Sequence, residues 1–91
     1  MKHAGPAALD ALEPLLERVR ALPGLKEKAR GAFYRKSRAV LHFHEDPAGL
    51  FADVRLAGDD FTRVRVSTSA EQDELMSLLS SARPGESRDP S

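Results

Sequence analysis

The chain has 91 residues, with 14 basic and 14 acidic side chains, no Cys and no Trp. That length supports one domain with one modest core, and the lack of Cys excludes disulfides, thiolate catalysis and thiolate metal ligands. A formal net charge of zero removes any global electrostatic case for nucleic acid or a membrane surface and leaves only local patches.

Residues 1–6 read as a frayed lead-in. From Ala7 onward, Leu9, Leu12, Leu15, Leu16, Val19 and Leu22 recur in steps of three and four, which places one apolar stripe on a helix face. Pro14 interrupts the stretch, because proline cannot donate to residue 10 and its ring crowds that turn. Either Pro14 opens a helix 14–22 behind a shorter segment near 7–13, or one helix runs through with a kink; proline's preference for a first helical turn favours the former. Leu22-Pro23-Gly24-Leu25 stops the helix, and residues 26–31 read as a charged connector. Asp10 and Glu13 break the N-terminal Ala/Leu stretch, so no secretory signal is expected. No window approaches the 18 or so apolar residues of a membrane span. The expectation is a cytoplasmic protein with no membrane partner. Arg outnumbers Lys ten to four, a bacterial kind of composition.

Phe33 to His44 reads as one long strand, with Leu41 and Phe43 on its apolar side. Glu45-Asp46-Pro47-Ala48-Gly49 is a turn. Leu50 to Leu56 is a second strand, Ala57-Gly58-Asp59-Asp60 a second turn, and Phe61 to Ser67 a third strand. Thr68-Ser69-Ala70-Glu71 is a capping box, with a hydroxyl at the N-cap and a carboxylate three residues on. Leu75, Leu78, Leu79 and Ala82 follow as a helical stripe, Pro84-Gly85 ends it, and residues 84–91 read as a disordered tail.

The expected fold is therefore α+β, in the order α-β-β-β-α. A three-stranded antiparallel meander carries N-terminal and C-terminal helices on one face, all within residues 1–83. Leu41, Phe43, Val54, Leu56, Val64 and Val66 should be buried, with Leu15, Val19, Leu75 and Leu79 packed on them. The other face of the sheet has nothing left to cover it.

Two stretches are familiar in combination. One is Leu22-Pro23-Gly24-Leu25-Lys26-Glu27 at a helix end. The other is Phe33-Tyr34-Arg35-Lys36-Ser37-Arg38-Ala39 leading into His44-Glu45-Asp46 and a second strand. Over roughly residues 12–82 they resemble the MmcQ/YjbR-like family of small bacterial proteins. The resemblance implies an α+β domain with DNA binding as the suggested role, and it carries over no catalytic residue.

The open face holds three candidate functions. His42 and His44 are two apart on one strand and point the same way. If His44 pairs with Phe51, His42 lies opposite Asp53, with opposed Cβ atoms about 5 Å apart. The competing register would set Arg38 against Arg55, two like charges. Two imidazoles and a carboxylate suit Zn²⁺ or Fe²⁺; the plainer reading is a pair of exposed strand histidines, one bonded to Asp53. Second, Lys36, Arg38, Arg55, Arg63 and Arg65 interleave with Tyr34, Phe51 and Phe61, the mixture that single-strand or RNA-binding sheets use. Between Arg18 and Arg38 eight basic residues face one acid, Glu27, so the neutral total hides a polarised chain. Third, the same face has an interface-like composition, and self-association into a homodimer would cover it. Catalysis has little support: Ser37, Ser67 and Ser69 lack a nucleophile-elbow context, and no glycine-rich phosphate loop occurs. The leading expectation is a binding or interaction module acting through the basic-aromatic face, on a polyanion such as nucleic acid or on a second copy. The alternative is a metal protein using His42, His44 and Asp53.

Overall fold

A computed structural model of the chain describes residues 2–56 and 58–81. The elements run β1 (Lys2–His3), α1 (Pro6–Ala11), α2 (Glu13–Arg20), β2 (Lys26–Ala29), β3 (Ala32–Arg35), β4 (Arg38–Asp46), β5 (Gly49–Val54), β6 (Thr62–Arg65) and α3 (Ser69–Ser81). The fold is α+β with one antiparallel sheet in the order β2-β3-β4-β5-β6, and β1 also pairs with β4. The expected meander is β4-β5-β6; the sheet is wider than three strands. The helix end at Pro84-Gly85, the tail 84–91, Ala57 and Ala82 lie outside the described residues.

The helical region splits as Pro14 dictates. Leu12 ends α1 and caps α2, and Pro14 sits in the first turn of α2, where no backbone donor is needed. The chain leaves α2 through Leu22-Pro23-Gly24, with Gly24 at φ 86°. The presumed connector 26–31 is instead half of a hairpin. Lys26 to Ala29 pair with β3, and Glu27 accepts the Gly31 N–H at 2.8 Å, which closes the turn. An edge strand of Lys, Glu and Ala buries no apolar face, so it leaves no alternating signal in the sequence.

The expected long strand 33–44 also breaks. Lys36 takes a left-handed φ of 59°, and a two-residue turn at Lys36-Ser37 joins Arg35 to its partner Arg38. Such turns are normally marked by Gly, Asn or Asp, and none is present. A bulge between the Phe33–Leu41 and Tyr34–Ala39 pairs leaves Val40 as the extra residue, 5% exposed. The β4–β5 hairpin turns at Pro47-Ala48, where Asp46 Oδ1 accepts the Ala48 N–H at 2.7 Å.

The core gathers Leu12, Leu15, Leu16 and Val19 with Phe33, Leu41, Phe43, Val54 and Val66, and with Leu75 and Leu79 of α3. Leu56 and Val64 are only half-buried against it, because β6 is an edge strand and Leu56 lies just past β5. The capping box forms as expected: Thr68 Oγ1 accepts the Glu71 N–H at 3.1 Å, and Glu71 Oε1 accepts the Thr68 N–H at 3.0 Å.

The lead-in is not frayed. Lys2 and His3 pair with Glu45 and His44, and Glu45 Oε2 accepts the Gly5 N–H at 2.7 Å. β4 has nine residues, longer than either neighbour on that side, so β3 covers its first half and β1 its second. The far face of the sheet is accordingly not bare: His44 is 9% exposed and Asp53 7%.

Candidate metal centre

The strand register builds the site row by row. His42 pairs with Asp53, which pairs with Arg63; His3 pairs with His44, which pairs with Phe51, which pairs with Arg65. The metal-compatible register is thus the one adopted. His3 is the residue that sequence reasoning missed. It sits in a short segment with no periodicity, and only the pairing of β1 with β4 brings it across 40 residues of chain.

One ring nitrogen each from His3, His42 and His44 lies within 4.8 Å of the other two. His42 Nδ1 and His44 Nε2 are 3.1 Å apart. The ring centroids form a triangle with sides of 4.7, 5.0 and 5.8 Å. A tetrahedral zinc with Zn–N bonds of about 2.0–2.1 Å would hold imidazole centroids about 5.2 Å apart. The ring centroids bracket that spacing, while the ring nitrogens, within 4.8 Å of one another, would close up by side-chain rotation to share one ion, since two such bonds span at most about 4.1 Å.

Asp53 behaves differently from its expected role. Arg63 grips both of its oxygens, Nε to Oδ1 at 2.7 Å and Nη2 to Oδ2 at 2.8 Å. That fork, against the opposing effect of burial, holds the Asp53 carboxyl below the usual carboxylate range. Its Oδ2 also lies 3.0 Å from His44 Nε2. With Nε2–H donating to the ionised Asp53, the lone pair of His44 sits on Nδ1, which is buried with no partner, so Nδ1 and not the Nε2 beside His42 is the atom of that ring that could hold an ion. Burial pushes the His42 pKa down, opposed by Asp53, so this imidazole keeps its lone pair near neutral pH. Phe61 closes one side of the cluster, its ring 4.9 Å from that of His42.

The basic-aromatic residues are placed less favourably for a polyanion. Arg55 lies 4.6 Å over the Phe61 ring, Arg65 5.5 Å over Phe51, and Lys28 4.7 Å over Tyr34. Arg55 also donates to the Ala39 carbonyl at 3.0 Å, and Arg65 donates to that of Ala48 at 2.9 Å. Arg38 reaches Asp59 at 3.1 Å. Lys36 sits in the β3–β4 turn, away from the aromatic rows. The face is present, but its cations and rings are largely turned on one another and on backbone carbonyls.

No helix among the described residues is long and apolar enough to cross a membrane. No family model matches the chain, and comparison with curated proteins and with solved structures returns no match.

Proposed function

We propose that this protein binds a divalent transition-metal ion, Zn²⁺ in the first instance, through His3, His42 and His44. The observation that carries the reading is that the register of β1 on β4 gathers three imidazoles, one ring nitrogen of each lying within 4.8 Å of the other two, around the buried and unpartnered His44 Nδ1. Neutral imidazoles suit Zn²⁺ and its later first-row neighbours. The set expected from the sequence, His42, His44 and Asp53, would suit Fe²⁺ equally. Arg63 occupies both carboxylate oxygens, and that favours the three-histidine set over it.

The test is calorimetric titration of untagged protein with Zn²⁺, supported by elemental analysis after dialysis. One ion per chain is expected. His3→Ala, His42→Ala and His44→Ala should each weaken binding by more than the roughly tenfold to hundredfold that loss of an outer-shell partner costs. A wild-type chain that takes up no zinc, nickel or cobalt would overturn the reading.

A further inference from the structure

The sheet has a gap beside these histidines. β3 makes its last pair with β4 at Phe33–Leu41, and β1 begins at His3–His44, so His42 and Phe43 fall between the two neighbours. The Ala4 N–H reaches across, to the Phe43 carbonyl at 3.1 Å. A half-open cavity of about 90 Å³ occupies this gap, lined by His3, Ala4, Leu9, Gly31, Ala32 and His42. Small side chains, Ala4 just past β1 and Ala32 at the start of β3, line it. Gly31 presses on Leu9 so closely that a Cβ there would sit 2.8 Å from Leu9 Cδ2. The volume has room for a molecule of about three to six non-hydrogen atoms.

His3 and His42 belong both to the metal cluster and to this cavity. Two other sides of the cluster are occupied. Asp53 in its Arg63 fork flanks His44, and Phe61 lies against His42. Three neutral imidazoles leave a bound divalent ion with its full charge, and the one nearby carboxylate is already neutralised by Arg63. An ion with three protein ligands keeps a fourth, exchangeable position.

We infer that this fourth position opens into the cavity between β1 and β3 and takes a small monoanion of the size of azide, formate or bicarbonate. The inference rests on the metal reading proposed above. It makes the centre an open, ligand-exchanging site rather than a closed structural one.

Cobalt-loaded protein separates the two. Uptake of one Co²⁺ per chain, with its visible d–d bands, tests the metal reading alone. Saturable change of those bands on adding sodium azide, one azide per cobalt, is then expected. Ala32→Leu and Ala4→Leu both fill the cavity without replacing a ligand. Either one, if folded by circular dichroism, should keep the cobalt bands and bind azide about tenfold or more weakly, a usual cost of overfilling a packed space. Cobalt bands that ignore azide would overturn the open position. Azide affinity equal to wild type in the cavity-filled variants would overturn its placement. A chain that binds no cobalt overturns the metal reading, and this inference falls with it.

Discussion

Arg63 decides what Asp53 can do. While its guanidinium holds both carboxylate oxygens, the carboxylate orients His44 and is not free to ligate. Arg63→Gln removes the fork and a positive charge beside the cluster, so Zn²⁺ affinity should rise. Competition against a chromophoric chelator measures it; a fall in affinity would show that the fork's hold on Asp53, and through it on His44, matters more than its competition for the carboxylate. Glu13 offers a second residue-scale test. Arg20 and Arg30 both donate to it, at 2.6 and 2.9 Å, and these bonds lower its pKa from 4.5 to about 2. A carboxylate depressed in the folded state stabilises the fold above its unfolded pKa and loses that contribution as pH falls toward the folded value. For Glu13 the window runs from 4.5 down to about 2. The difference in urea midpoint between wild type and Glu13→Gln should be constant above that window and close inside it. A difference that persists unchanged down to the bottom of the window would detach Glu13 from acid unfolding.

The elements differ in how plainly the sequence announces them. The α3 cap, the β4–β5 register and the buried face were legible because each has its own local chemistry: a hydroxyl three residues before a carboxylate, like charges excluded from opposition, and alternation with period two. Thr68→Ala should therefore destabilise by about 1 kcal/mol. Leu41→Ala, at a position with no exposure, should cost about 2–4 kcal/mol from lost transfer and the cavity left behind. Chemical denaturation checks both, and a loss at Leu41 below about half a kcal/mol would contradict the packing of helices on that face. β2 was illegible for the opposite reason, since a charged edge strand is defined by its partner and not by its own pattern. The break at Lys36-Ser37 was hidden because a lysine takes a backbone conformation usually left to glycine.

At the scale of the whole molecule, a metal on His3, His42 and His44 would pin the N-terminal strand to the centre of the sheet. Ligand that binds only the folded state stabilises by about 2.7 kcal/mol at a hundredfold excess over Kd. For a domain of this size that should raise the melting temperature by about 10 °C or more. His3→Ala should abolish most of the zinc-dependent rise and change the metal-free melting little, because His3 is exposed. A rise of equal size in the variant would exclude His3 as a ligand. The basic face makes a separate prediction. Contact of four or five free cations with single-stranded nucleic acid would give a log–log salt slope of roughly −3 to −4. With Arg38, Arg55, Arg63 and Arg65 each holding a protein acceptor, a slope shallower than about −1 is expected. A steep slope, lost in Arg63→Glu/Arg65→Glu, would restore the polyanion reading.

The sequence by itself determined the α+β class and the apolar face of β4 and β5, and it favoured, without deciding, the split of the first helical region at Pro14 and the placing of His42 across from Asp53. All of these follow from spacing within a few residues, where periodicity, capping and pairing rules act. Only the tertiary structure decided that Lys2–His3 would complete the second half of β4 and that a gap would open between β1 and β3. Each of these joins positions distant in sequence or falls in a segment with no repeating pattern. They were settled by which strand end could satisfy the backbone donors and acceptors of a β4 longer than its neighbour.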